Sequence, residues 1–315
     1  MKGLARRATA VSDRGVRRMM ITGVLVLALG VPAFALFYYR DQHVDPGPSL
    51  IDRQVASAEN AVRKAPADIG LRLALAAAYQ SAGRLDSALT QYDETLKVQD
   101  ANRVALLGRG DILVAKKDFA GATKAYTTIV KNSGGEEFAQ ADPQLEKAHF
   151  KLGEIALKQG HPKAAVKSLT AAVRIEPTDA DALYLLGSAQ IKAGAAKQAI
   201  ATLHQAVAFV PTGWCEPYGK LSQAYRAVGQ SAQSSYATAM VSFCQGDSAT
   251  AKDRLAGLTT GPVRIDAMLG LGMIAEADDD RAAAAGWYRK VVAVDKDNFS
   301  ATTGLSRLGA GSAGA

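Results

Sequence analysis

The sequence predicts an all-α chain, a solenoid of antiparallel helix pairs preceded by one N-terminal transmembrane helix. Three observations carry that expectation. The stretch HFKLGEIALKQGHPKAAVKSLTAAVRIEP, His149 to Pro177, returns 34 residues later as LYLLGSAQIKAGAAKQAIATLHQAVAFVP. Leu152, Gly153, Gly160, Ala165, Leu169, Ala172 and Pro177 are matched without a gap by Leu186, Gly187, Gly194, Ala199, Leu203, Ala206 and Pro211. Second, the composition is 48% apolar but only 6% aromatic. Together with its wealth of Ala and Gly, that suits close-packed helices rather than a β-sandwich, and hairpin signals are missing. Third, the run Met19 to Tyr39 carries no charge over 21 residues.

Residues 1–18 form a basic arm, expected to be cytoplasmic, with Lys2, Arg6, Arg7, Arg14, Arg17 and Arg18 against Asp13 alone. This arm accounts for +5 of the net +7, so the remainder sums to +2. A nearly neutral body without a basic stripe argues against a nucleic-acid partner. Residues 19–39 are long enough as a helix to cross a hydrocarbon core of ~30 Å, and Phe37, Tyr38 and Tyr39 close the run where an aromatic belt sits. The run reads as an uncleaved signal-anchor, with the N-terminus inside and the rest outside the plasma (inner) membrane. Ala33-Phe34-Ala35 offers the competing reading, a small-residue cleavage site. Residues 40–48, including His43, form a short stiff linker.

The body spans residues 49–309. Ile51, Val55, Ala58 and Val62 have helical spacing and begin it with a capping half-repeat. Units follow near 69–102, 103–136, 146–179 and 180–213. Ala76, Tyr79, Gly83, Ala88 and Tyr92 mark the first, and Gly110, Ala122 and Tyr126 the second. Nine residues are inserted between Gly110 and Gly153, within Asn132 to Gln144, a polar Gly-rich stretch expected to protrude. The pattern resembles the tetratricopeptide repeat, a 34-residue helix–turn–helix. That resemblance implies a surface-presenting solenoid and not an enzyme.

The C-terminal third is less regular. Gly272, Ala284 and Tyr288 mark another unit near 265–298, but Gly187 and Gly272 are two and a half periods apart. An odd number of helices must lie between, with Glu216–Val228, Gln233–Phe243 and Ala249–Leu258 as candidates in a degenerate 215–264 segment. Phe299 to Leu308 reads as a closing helix and residues 310–315 as a disordered tail. Cys215 opens one expected helix and Cys244 closes the next. In an antiparallel hairpin those ends lie together, so a disulfide fits, and an exported domain would keep it. Two buried unpaired thiols are the alternative.

No catalytic residue, metal site or cofactor is expected. His43, His149, His161 and His204 share no metal-ligand spacing. His161 sits in a turn, and His204 is expected to face outward on a second helix. Asp278 to Asp280 lack the Gly and downstream Glu of a calcium loop and read as a solvated, helix-capping turn. Phosphate loops and nucleophile elbows are missing from the sequence.

The resemblance implies that first-helix positions line a peptide-binding groove. Carried across, these are Leu73, Ala77 and Gln80, then Leu107, Asp111 and Val114. The third unit gives Phe150, Glu154 and Leu157, and the fourth Tyr184, Ser188 and Ile191. Leu107, Phe150 and Tyr184 recur as an apolar rung, for which packing between repeats is the competing role. The basic carboxylate clamp of some family members is absent, since Leu73, Ala77 and Leu107 occupy its places. The expected function is a membrane-anchored extracytoplasmic scaffold that binds a protein or peptide to assemble or organise an envelope complex. The alternatives are an apocytochrome-binding factor of c-type cytochrome biogenesis and a self-associating, homo-oligomeric scaffold.

Overall fold

The computed structural model describes residues 13–42, 48–133, 141–209 and 213–310. Most of the basic arm and linker, part of the inserted stretch (134–140) and the tail residues 311–315 lie outside the described residues. The described chain is helical throughout, without strands.

Helix α1 (Asp13–Gln42) contains the apolar run. Its window Arg17–Asp41 has mean hydropathy 2.3 and buries nothing against the rest of the chain. By length and composition it is a candidate membrane span, and a signal sequence meets the same description.

The solenoid starts with α2 (Leu50–Lys64) and continues as pairs: α3 (Ile69–Ser81) with α4 (Leu85–Val98), and α5 (Arg103–Ala115) with α6 (Phe119–Asn132). Next come α7 (Pro143–Lys158) with α8 (Pro162–Ile175), and α9 (Ala180–Lys192) with α10 (Ala196–Phe209). The irregular region holds α11 (Glu216–Ala227), α12 (Ser231–Cys244) and α13 (Ser248–Ala256). Helices α14 (Arg264–Ala277), α15 (Arg281–Val294) and α16 (Phe299–Arg307) close the array.

Local chemistry sets these boundaries. Ser49 and Asp52 form a reciprocal capping box on α2. Asp68, Asn102, Asp118, Asp142, Asp179 and Asn298 each accept a backbone N–H of the first turn they precede. The turn inside each pair needs a left-handed residue. Gly160 and Gly194 supply it at φ 74° and 81°, whereas Lys117 and Asp279 adopt it at φ 62° and 60° without the freedom of glycine.

Packing follows the repeat. A first-helix glycine meets the residue sixteen positions later on the second helix: Gly110 with Tyr126, Gly153 with Leu169, Gly187 with Leu203, Gly272 with Tyr288. At each pair a Cβ on the glycine would come within 2.6 Å of the partner side chain. Small residues therefore set how closely the helices approach, and the bulky residue fills the gap. Tyr288 is wedged between Gly272 and Gly304, which extends the same packing into α16.

First helices stack on one another from α3 through α5, α7, α9 and α11. Beyond that the next-but-one contact is α12 with α14. The change of parity falls on α12, which packs as second helix against α11 and as first helix against α13. Gly270 of α14 rests on Leu255 of α13 and Met240 of α12, which binds the shifted segment to the closing unit.

Cys215 precedes α11 and Cys244 ends α12. They are joined by a disulfide with a Cα separation of 5.4 Å, across the hairpin where parity changes.

Candidate functional site

The resemblance-derived groove positions fall on the stacked first helices. Leu73, Val114, Phe150, Leu157, Tyr184 and Ile191 are half-buried, each resting on a core cluster while keeping part of its surface open. Leu107 is different. It is 8% exposed and belongs to the core between units, so of the rung Leu107, Phe150 and Tyr184 only the last two present surface. Ala77 is exposed, and Ser188 is buried with its hydroxyl meeting no partner.

Gln80, Asp111 and Glu154 are engaged within the protein. Gln80 accepts from the Tyr92 hydroxyl at 3.1 Å. Asp111 accepts from the Tyr126 hydroxyl at 2.6 Å and from Lys147 Nζ at 2.9 Å. Burial, reinforced by that carboxylate, pushes the Tyr126 hydroxyl well above the usual phenol range. Glu154 binds Lys151 and Lys158 at 2.9 and 2.8 Å. Burial alone would raise its pKa, but the two ammonium groups outweigh it and the net direction is down.

A second group of side chains gathers where the parity changes, and single-unit register did not point to it. Tyr184 packs against Trp214 at 5.1 Å between ring centroids. Tyr218 and Tyr225 of α11 share a core cluster with Ala267 and Leu271 of α14, and Tyr236 of α12 packs on it. His204 stays solvent-accessible, as expected of an outward residue, yet its ring is hydrogen-bonded to the Tyr225 hydroxyl. The two rings meet edge to face at 6.0 Å. Burial lowers the His204 pKa, with Asp266 pulling it back, and raises the Tyr218 hydroxyl to about 12.

His149 is half-buried and is held below the usual imidazole range by burial. Asp280 caps α15 through the Ala283 amide, and Asp278 pairs with Lys252 at 2.6 Å. Among the described residues no cluster of His, Cys, Asp or Glu could hold a metal ion.

Tetratricopeptide-repeat family models match residues 73–137 and 156–224. Those two segments are tetratricopeptide repeats, in keeping with the stacked helix pairs. No curated protein matches it in sequence. Solved structures of similar fold include YrrB, "a TPR protein with an unusual peptide-binding site", at 19% identity and TM-score 0.53. That match covers 62% of this chain and 96% of YrrB. MamA matches at 19% identity and TM-score 0.51, over 57% of this chain and 93% of its own. The C-terminal part of a repeat protein from Cytophaga hutchinsonii matches at 17% and 0.51, over 80% and 93%. At these identities the likeness is one of fold. The tetratricopeptide-repeat fold is that of a protein-interaction scaffold, presenting surfaces on stacked helices.

Proposed function

We propose that this chain is a membrane-anchored extracytoplasmic tetratricopeptide-repeat scaffold, whose stacked first helices hold an extended or helical segment of another protein. Its action is reversible binding that assembles or organises a complex at the membrane surface, with no chemical step of its own. One observation carries the reading. After the core is filled, apolar side chains on successive first helices, Leu73, Val114, Phe150, Leu157, Tyr184 and Ile191, remain half-open along one stack. Recurring apolar anchors with engaged polar neighbours suit peptide recognition. The peptide-binding site named for YrrB agrees with this use of the fold. The unburied apolar window of α1 supports the anchor, and the Cys215–Cys244 disulfide supports an oxidising compartment.

The test is affinity capture from detergent-solubilised membranes, comparing the wild type with Phe150→Ala plus Tyr184→Ala and checking folding by circular dichroism. A partner held by the wild type and lost by a still-helical double variant supports the groove. Retention of every partner by the variant overturns it. Proteolysis of intact cells that leaves the body uncut, or recovery of an anchor-free chain, overturns the topology.

A further inference from the structure

The α11–α12 hairpin departs from the packing rule of the regular pairs. Counted back from the helix end, Ser222 holds the place of Gly110, Gly153, Gly187 and Gly272. Counted from the helix start, Thr238 holds the place of Tyr126, Leu169, Leu203 and Tyr288. A pair of hydroxyls therefore stands where those pairs set a bulky side chain against a glycine. Ser222 Oγ lies 2.9 Å from Thr238 Oγ1 and 2.9 Å from Ser234 Oγ. Ser234 also donates to the Ser222 carbonyl at 3.2 Å, and Thr238 to the Ser234 carbonyl at 2.8 Å. The three hydroxyls are thus fixed by their own bonds.

A cavity of about 400 Å³ adjoins Thr238. Its wall is made by Ser234, Ser235 and Thr238 of α12, Arg254 of α13, and Gly257 and Leu258 beyond that helix. No carboxylate lines it. Arg254 is exposed there and forms no hydrogen bond or ion pair among the described residues. Asp253, its neighbour in sequence, lies outside the wall, and Asp247 is occupied at the start of α13 by the Thr250 amide. The cavity shares no residue with the groove positions of the first helices.

We propose that this cavity binds an oxyanion, a carboxylate or a phosphate, paired with Arg254 and hydrogen-bonded by the Ser235 hydroxyl over a floor formed by Ser234 and Thr238. The wall selects the charge. Guanidinium and hydroxyl groups donate to oxyanions, and a charge-assisted bond is the stronger kind. A cation entering the cavity would meet Arg254 and no acid. An apolar group would strip water from the hydroxyls and the guanidinium without replacing those bonds, which is costly. The volume falls at the lower end of small-ligand sites, roughly 300–1,000 Å³.

The test is thermal unfolding of the full chain in nonionic detergent, followed by circular dichroism in a buffer free of oxyanions. Inorganic phosphate and acetyl-glutamate amide are titrated separately, with acetyl-glutamine amide and chloride at matched ionic strength as controls. At least one of the two oxyanions is expected to raise the midpoint saturably, and neither control to do so. Whichever acts identifies the source of the oxyanion. Arg254→Gln should weaken the binding about tenfold or more. Ser222→Gly combined with Thr238→Leu copies the packing of α9 on α10, so it should keep the helical content and lose the response. A response to neither oxyanion, an equal response to a control, or one that survives unchanged in Arg254→Gln overturns the site and leaves the groove on the first helices standing.

Discussion

Gly187 of α9 lies so close to Leu203 of α10 that a Cβ on the glycine would stand 2.5 Å from Leu203 Cγ. The same relationship joins Gly153 to Leu169, at 2.4 Å, one repeat earlier. The interval that made the repeat visible in the sequence is therefore a packing distance. Gly187→Ala must push Leu203 out of a fully buried site or force the helices apart, which costs about 1–3 kcal/mol. Gly286, within α15, has no atom within 4 Å of where its Cβ would go. Gly286→Ala should instead stabilise by about 0.5–1 kcal/mol, through helix propensity and a less disordered unfolded chain. Thermal and urea unfolding of the two variants checks the contrast. Equal effects would show that glycine content, and not approach distance, governs these helices.

The register was legible in the sequence because each unit solves the same packing problem with nearby residues. Gly110 and Tyr126, or Gly272 and Tyr288, are within one helical hairpin, so spacing alone exposes them. Arithmetic on Gly187 and Gly272 also required an odd number of helices between their two units, and three, α11 to α13, are present. It could not show that α12 serves as second helix to α11 and first helix to α13, since that depends on contacts across the whole segment. Leu107 occupies a position that faces the groove in the family, but here it is buried between units. The aromatic group around Tyr225 was invisible for a related reason. Its members come from α10, α11 and α12, where the register has slipped, so no fixed interval links them. A lone Trp214 carried no signal until the fold brought Tyr184 against it.

The Cys215–Cys244 disulfide closes a separation of 29 residues in the part of the array where repeat packing is least regular. On the chain-entropy estimate it contributes about 3.5 kcal/mol by restricting the unfolded segment. Arrays of this type can open locally. Replacing both cysteines with serine should therefore speed amide exchange chiefly in α11, α12 and α13. Helices α3 to α6 should keep their protection. Uniform loss along the chain would mean the solenoid unfolds as one unit, and no change would mean the hairpin is held by its apolar contacts alone.

Asp111 separates a structural from a binding role. Its carboxylate accepts from Tyr126, which is fully buried, and from Lys147 on the following first helix. Asp111→Ala leaves the phenol hydroxyl without its partner, at a cost of about 1–3 kcal/mol. Tyr126→Phe removes the hydroxyl as well as the bond and should cost about 1 kcal/mol. The double variant should then be close to Tyr126→Phe alone, since the two act through one contact. Strictly additive losses in a double-mutant cycle would show that Asp111 is not held by Tyr126.

Glu146, in the first turn of α7, gives the chain a pH dependence of defined sign. One carboxyl oxygen is buried without a partner. Burial raises its pKa to about 7, reinforced by the charges of Asp179 and Glu176 and opposed by Lys147. The folded state thus holds the proton more tightly than the unfolded chain, whose Glu titrates near 4.5. Its stabilising contribution is complete below about pH 4.5 and is lost as pH climbs through about 7. His149 and His204 work in the opposite sense, because burial lowers their pKa values and folding loses stability as they protonate. The difference between variants isolates Glu146 from them. Glu146→Gln mimics the protonated acid, so it should match the wild type at pH 4.5 and exceed it in stability at pH 8. Unfolding midpoints measured across that range decide it. A difference that stays constant with pH would place the Glu146 titration at its ordinary value, with the buried oxygen reached by water.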